Sequence, residues 1–408
     1  MFFYSIFFPF YVLAICLAAP FSSKVRHLLA GHIRIRSTLK REVDPSASYL
    51  WFHASSLGEF EAGRPLLEQI HADYPQYRIL LTFFSPSGYE LCKDYKYADV
   101  VCYMPFDFGF AIRRFLKLVP VKKAFFIRYE FWPRTLKVLS RLGIEVYSVS
   151  SVFRSCQFFF HKAGGFYRRC LRCFTHLFVQ NQNSKDLLAG IGISNVTIVG
   201  DTRIDRVIQI ASASAPQPLV AKFAGSGLVC IAGSSWPSDE EVFIPYFPNN
   251  GKWKLIIAPH VISESHLREI EGRLQGCRYV RLSDATEDSI EDFDVLIVNC
   301  FGLLSSIYRY GQVAFIGGGF IDGIHNVLEA AVYNVPTVFG PNHQEFHEAG
   351  ELIELGGAFI VENTTDFRML MDKFVSDPAY LEQCGHAAGD YVMKNKGTTQ
   401  RIISGLGL

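Results

Sequence analysis

From Tyr49 onward the chain alternates short apolar runs with longer segments that carry apolar residues at helical spacing. The runs at residues 49–53, 78–83, 123–127, 145–149, 176–179 and 196–199 predict β-strands. Helical patterns fall between them at residues 62–74, 111–118, 132–142 and 184–189. Strand and helix in alternation imply a doubly wound parallel sheet, because a parallel neighbour is reached only by a crossover. Residues 211–227, rich in Ala, Ser, Pro and Gly and without periodicity, predict an interdomain linker. The pattern then restarts, with strands expected at 229–232, 254–258, 278–282, 294–298, 312–316, 336–339 and 357–361. The expected fold is α/β, with two Rossmann-like domains facing across a cleft and ligands at the carboxyl ends of the strands.

The first residues break this pattern. Residues 1–23 contain no charge and include Phe2, Phe3, Ile6, Phe7, Phe8, Phe10, Tyr11, Val12, Leu13, Ile15 and Leu17. A helix of about 20 residues reaches the roughly 30 Å of a bilayer core, so a membrane anchor is expected there. The flank turns basic, with Lys24, Arg26, Arg34, Arg36, Lys40 and Arg41 before the first acid, Glu42. That asymmetry places the rest of the chain on the cytoplasmic face. A cleaved signal peptide would carry its charges before the apolar run and not after it. Pro9 allows a kink and hence a shallow interfacial embedding in place of a span. The organisation is then an anchor at 1–23, an N-terminal domain at 24–210, the linker at 211–227 and a C-terminal domain at 228–408.

The 408 residues suit two domains, and 49% hydrophobic against 19% charged residues excludes a disordered chain. A net charge of +1 gives no global field that would draw nucleic acid, and none is expected as a partner. The ten cysteines are scattered, several within apolar runs, as in a reducing compartment. Cys170 and Cys173 form the only CxxC and lack the second pair that a zinc site would need, so no metal is expected.

Candidate chemistry sits where strands end. Ser56-Leu-Gly-Glu59 follows the first strand, and a carboxylate at that turn suits general-base work; the alternative is that Glu59 only complements the positive end of a helix. Arg128 and Glu130 close the strand 123–127 two residues apart, spaced for one face, as an ion pair or a substrate contact. Gly200 to Asp205 offers Arg203 as a cation, or as the partner of Asp201 or Asp205. In the second half, Ser234 and Ser235 lie in a small polar turn before a helix start, a place for a phosphate. Gly317, Gly318 and Gly319 follow a strand and let the backbone approach a ligand closely, or serve tight packing alone. His325 and Asn326 are expected to open a helix, with Glu329 one turn on to accept hydrogen bonds from ribose. The contiguous glycines are not the dinucleotide fingerprint.

Taken in order, the N-terminal anchor, Ser56 to Glu59, Thr82 to Gly88, Glu130-Phe-Trp-Pro133, Gly200 to Asp205, Gly317 to Glu329 and Gly340-Pro341 resemble the Kdo transferases, family 30 of the glycosyltransferases, over nearly the whole chain. The resemblance implies transfer of Kdo, an eight-carbon acidic sugar, from CMP-Kdo to a lipid A precursor at the inner membrane, without a further cofactor. It implies Glu59 as the base, Arg203 as the cation that offsets developing charge, and Glu130 as the retained second glutamate of its motif. CMP would be held by Pro259 and His260, by Phe301, Gly302 and Leu303, and by Asn326, Val327, Leu328 and Glu329. Three positions depart from the family pattern: Arg128 stands for a glutamate, Leu303 for an acid, and no arginine precedes His260. The rival readings are an enzyme of the same fold using a UDP-sugar, such as a lipid A disaccharide synthase or a UDP-sugar epimerase, and an inactive sugar-nucleotide-binding protein.

Overall fold

The computed structural model describes residues 2–248 and 251–408. Met1 of the expected anchor, and the side chains of Phe2, Phe3 and Ser5, lie outside the described residues. Two compact units emerge, one of residues 1–206 with 397–408, the other of residues 207–396.

The first unit holds a seven-stranded sheet: β1 (Ser48–Ala54), β2 (Tyr77–Phe83), β3 (Val100–Tyr103), β4 (Val121–Ile127), β5 (Glu145–Ser151), β6 (His176–Val179) and β7 (Val196–Ile198). Its order is β3-β2-β1-β4-β5-β6-β7, all parallel. Along β1, Tyr49 and Trp51 join the core on one face while Leu50 and Phe52 join that on the other. Burial on both faces is why parallel strands read as continuous apolar runs. The second unit repeats the plan with β8 (Leu228–Ser235), β9 (Trp253–Pro259), β10 (Tyr279–Arg281), β11 (Val295–Ile297), β12 (Val313–Ile316), β13 (Thr337–Phe339) and β14 (Ala358–Ile360), in the order β10-β11-β9-β8-β12-β13-β14. Every strand expected from the sequence is present; β3 is an addition.

Two segments differ from expectation. The linker residues 211–227 are largely helical, being the end of Thr202–Ala213 followed by Pro218–Ala224. Residues 397–408, which sequence order places with the second domain, pack in the first unit. Asp205 accepts hydrogen bonds from the amides of Gly397 and Thr399 at 2.7 and 2.6 Å, and Ile402, Ile403 and Leu406 join the core beside Phe125 and Phe178.

At the N-terminus, α1 (Phe2–Ala18) leads through a 3-10 turn at Ala19–Phe21 into α2 (Ser23–Glu42). Among the described residues no helix is long and apolar enough to cross a membrane. The 17 residues of α1 reach about 25 Å, short of the hydrocarbon core, and Pro20 ends the helix. Phe8 packs on Phe108 with ring centroids 5.3 Å apart, while Phe7, Phe10, Leu13 and Leu17 stay more than half exposed. The amphipathic α2 buries Leu28, Ile35 and Leu39 against the sheet unit, and Ser22 caps it.

Candidate active site

In the first unit the site begins with α3 (Leu57–Asp73), which starts where β1 ends. Glu59 sits at its third position and closes a capping box. Its Oε2 accepts from the Ser56 amide at 3.0 Å and from the Ser56 hydroxyl. The carboxylate is thus held at the helix start, as the capping reading of Glu59 expects, and remains half-buried. Beside it, α4 (Pro86–Cys92) starts after β2, and the Ser85 amide donates to Ser55 O at 2.7 Å. The motif Thr82 to Gly88 therefore braces the Glu59 turn.

Glu130 lies buried after β4. Its Oε2 accepts from Trp132 Nε1 at 2.6 Å and stands 3.3 Å from His53 Nε2. The ring of His53 is fixed from behind, its Nδ1 lying 3.0 Å from Thr82 Oγ1. Burial raises the Glu130 pKa, but the hydrogen bonds and charge of His53, with those of Ser55 and Trp132, leave it below the ordinary glutamate value. Of the ion pair and the substrate contact that the two-residue spacing allows for Arg128 and Glu130, the ion pair does not form. The strand ends at Ile127, Arg128 adopts a left-handed φ of 61°, and the alternation of faces is lost there. Arg128 and Arg203 both act on Asp201, whose pKa burial raises but these cations bring down overall.

Arg203, in the first turn of the helix Thr202–Ala213, donates from Nε and Nη2 to Asp201 Oδ2 at 2.9 and 2.6 Å. Of its two expected partners Asp201 is the one used, since Asp205 caps the returning C-terminal segment. Arg206 then donates to Glu61 Oε2 at 2.9 Å, joining the start of this helix to the start of α3. Glu59, Glu130 and Arg203 therefore follow the carboxyl ends of β1, β4 and β7. Sequence reasoning missed His53, Ser55 and Arg206, because their partners Glu130 and Glu61 lie on other elements far along the chain.

In the second unit Ser234 takes a left-handed φ of 53° as β8 ends, and Ser235 Oγ donates to buried Glu240 at 2.9 Å. Asp239 Oδ2 accepts from the Trp236 amide at 2.9 Å and the Gly318 amide at 2.8 Å, pinning the polar turn to the glycine loop. Burial holds the pKa of both carboxyls above the ordinary range. Tight backbone packing explains two of the three glycines. A methyl on Gly317 would strike the Ser234 carbonyl, and one on Gly319 would lie 2.5 Å from Gly340 N; Gly318 is needed for its φ of 95°.

Three rings stack over this loop, Trp236 on His260 and His260 on His325, each pair with centroids 4.6 Å apart. Trp236 Nε1 donates to His325 Nε2 at 3.2 Å. Burial, then the nearby charge of His260, push the His325 pKa down to about 4. The unfolded chain therefore takes up this proton first. His325 is expected to withdraw about 1–2 kcal/mol of stability as pH falls from about 6.5 toward 4, an effect reduced by its partial exposure. A His325→Gln variant should flatten that part of the pH dependence, as read by denaturant midpoints.

The helix expected from His325 begins only at Leu328 and is four residues long, Leu328–Ala331. The His325 amide instead bonds Gly317 O, and Asn326 Oδ1 accepts from the Leu328 amide at 3.2 Å, an Asx turn that delays the start. Glu329 is held by Asn326 Nδ2 at 3.2 Å and Ser305 Oγ at 2.5 Å. Val327 and Leu328 have buried side chains, so only their backbone can meet a ligand. Pro259 ends β9, and the Phe301-Gly302 pair lies in an exposed loop before Leu303 and the short helix carrying Ser305.

Two doubly wound parallel domains, each with polar turns and charged side chains at its strand ends, define an α/β fold of two Rossmann-like units. The fold is similar to that of UDP-GlcNAc 2-epimerase from Neisseria meningitidis, with TM-score 0.64, 13% identity, and coverage of 88% of this chain and 99% of that one. It is also similar to MurG from Acinetobacter baumannii, with TM-score 0.56, 13% identity, and coverage of 88% and 98%. A family model described as 3-deoxy-D-manno-octulosonic-acid transferase (kdotransferase) matches residues 31–206. The transferase of that name from Aquifex aeolicus is 25% identical over 336 residues, 80% of this chain and 86% of its own length. That of Haemophilus influenzae is 24% identical over 388 residues, 88% and 86%. That of Rickettsia felis is 28% identical over 322 residues, 75% and 67%. This chain is a relative of the 3-deoxy-D-manno-octulosonic acid transferases, and the resemblance carried by its ordered motifs stands.

Proposed function

We infer that this chain is a glycosyltransferase that moves Kdo from CMP-Kdo to a lipid A precursor in lipopolysaccharide synthesis. The observation that carries the reading is that Glu59, Glu130 and Arg203 follow the carboxyl ends of three strands of one parallel sheet, in a chain whose relatives bear the name of that reaction. In the proposed step the acceptor hydroxyl oxygen bonds to the anomeric carbon, the bond from that carbon to the CMP phosphate breaks, and the Glu59 carboxylate takes the hydroxyl proton. Arg203 offsets the developing negative charge, and Glu130, held by His53 and Trp132, keeps the Glu59 turn in place through Ser55. The loop of Gly317, Gly318 and Gly319, the Ser234-Ser235 turn and the His260–His325 stack are proposed to hold the nucleotide, with Glu329 on the ribose. The exposed apolar side of α1 and the basic outer side of α2 suit an interfacial embedding at the cytoplasmic face of the inner membrane.

The fold likeness to a UDP-sugar epimerase supports one competing reading, so the nucleotide decides. CMP at about 100 times its dissociation constant should add about 2.7 kcal/mol, a rise of roughly 5–10 °C in Tm for units of this size. Stabilisation by UDP and not by CMP would overturn the reading. Incubation with CMP-Kdo and the tetra-acylated precursor, read by mass spectrometry, should then show a product heavier by whole Kdo units; CMP binding without product would leave the inactive-binder alternative.

A further inference from the structure

A cavity of about 300 Å³ opens between α1, α5 (Gly109–Leu116) and α6 (Pro133–Arg141), apart from the residues assigned above. Four cations line it, Arg113 from α5 and Arg134, Lys137 and Arg141 from α6, against a single carboxylate, Asp107. That carboxylate is already committed. Its Oδ1 accepts from the Thr135 amide at 2.7 Å and the Thr135 hydroxyl at 2.6 Å, and its Oδ2 from the Arg134 amide at 2.9 Å and Tyr4 OH at 2.8 Å. Among the described residues neither Arg113 nor Arg141 makes an ion pair. Their positions in last helical turns suit the helix dipoles, but the dipoles do not explain convergence of two helices' cations on one cavity. Arg134, Lys137 and Arg141 recur on one face of α6, and α1 supplies Tyr4, Phe8 and Pro9 as the opposite, mostly apolar wall.

Phe110 forms a shared wall. It also lines a second cavity of about 390 Å³, whose walls include Ile35, Leu39, Phe115 and Leu118 together with the basic residues Arg36, Arg114 and Lys117. A basic pocket and a largely apolar pocket that meet at one exposed aromatic ring, Phe110, are matched by an amphiphile whose head carries a phosphate. Arginines in numbers favour phosphate through paired, charge-assisted hydrogen bonds.

We propose that these neighbouring cavities bind a phosphorylated lipid, its phosphate between Arg113 and Arg141 and the start of its acyl chain across Phe110. This goes beyond the transfer reaction and rests only on the reading that α1 meets lipid. The test uses the detergent-solubilised full chain with dihexanoyl phosphatidic acid, dihexanoyl phosphatidylcholine and inorganic phosphate, followed by calorimetry. Phosphatidic acid is expected to bind at least about 10-fold more tightly than either other probe, and an R113Q/R141Q variant to weaken it by about 10-fold or more. Phe110→Ser, at a position 61% exposed, should weaken the lipid and leave inorganic phosphate unchanged. Equal affinity for phosphatidic acid and phosphatidylcholine, or unchanged binding by R113Q/R141Q, would overturn the proposal; inorganic phosphate binding as tightly as the lipid would sink the lipid part and reduce the site to an anion pocket. CMP stabilisation measured on the same samples reports folding and the donor site separately. Its failure would count against the transfer reading and not against this one.

Discussion

A Glu59→Gln variant is expected to lose about 10²- to 10⁴-fold in turnover with CMP-Kdo and lipid acceptor, with its Tm almost unchanged. The two effects separate because of where Glu59 sits. It caps α3 from the third helical position, and glutamine is the other residue type that fills this place in a capping box. The amide oxygen of a glutamine can accept from the Ser56 amide as the carboxylate does, but it cannot take a proton from an acceptor hydroxyl. Glu59→Ala mixes the two roles, since it also removes the cap at a cost of about 1 kcal/mol. Steady-state turnover and a melting curve on the same Glu59→Gln preparation decide the matter: full activity in a folded protein would reduce Glu59 to a helix cap.

The second large effect is expected at Gly317. A methyl there would overlap the Ser234 carbonyl and lie 2.7 Å from Ser235 Cα, and both neighbours are backbone at the end of β8. Neither can swing aside as a flexible side chain would, because β12 pairs with β8 up to Ile316 and Gly233. Gly317→Ala should therefore cost at least about 1–3 kcal/mol and abolish stabilisation by nucleotide. Gly272 is the control, in the helix Glu264–Arg273 with open space around its position. There alanine should be neutral or stabilising by about 0.5–1 kcal/mol. Denaturation midpoints of the two variants with and without CMP give the comparison; equal behaviour would show that the loop has more room than its packing indicates.

Both α/β units were legible in the chain because a parallel strand buried on both faces is a continuous apolar run, as in residues 49–53 and 254–258. β3 escaped notice since Val100–Tyr103 runs straight into Met104-Pro105 with no break to mark its end. The capping carboxylate at Glu59 and the glycines at 317–319 were visible too, because a helix start and a tight turn are written in adjacent residues. The apolar N-terminal run was legible as well, but the expected anchor at 1–23 proved too long: α1 stops at Ala18, before Pro20, and its shortfall against a bilayer became clear only from its length in place.

What only the tertiary structure decided was partnership. Arg128 and Glu130 are spaced for one face, yet a left-handed residue at the strand end turns one toward Asp201 and leaves the other with His53. The return of residues 397–408 to the first unit depends on Asp205, and the bond from Arg206 to Glu61 depends on which helices follow β1 and β7. Periodicity is set by the geometry of the next few residues and so survives in a sequence read alone. The pairing of charges across a sheet depends on strand order and on chain that returns from far away, and neighbouring residues carry no record of either.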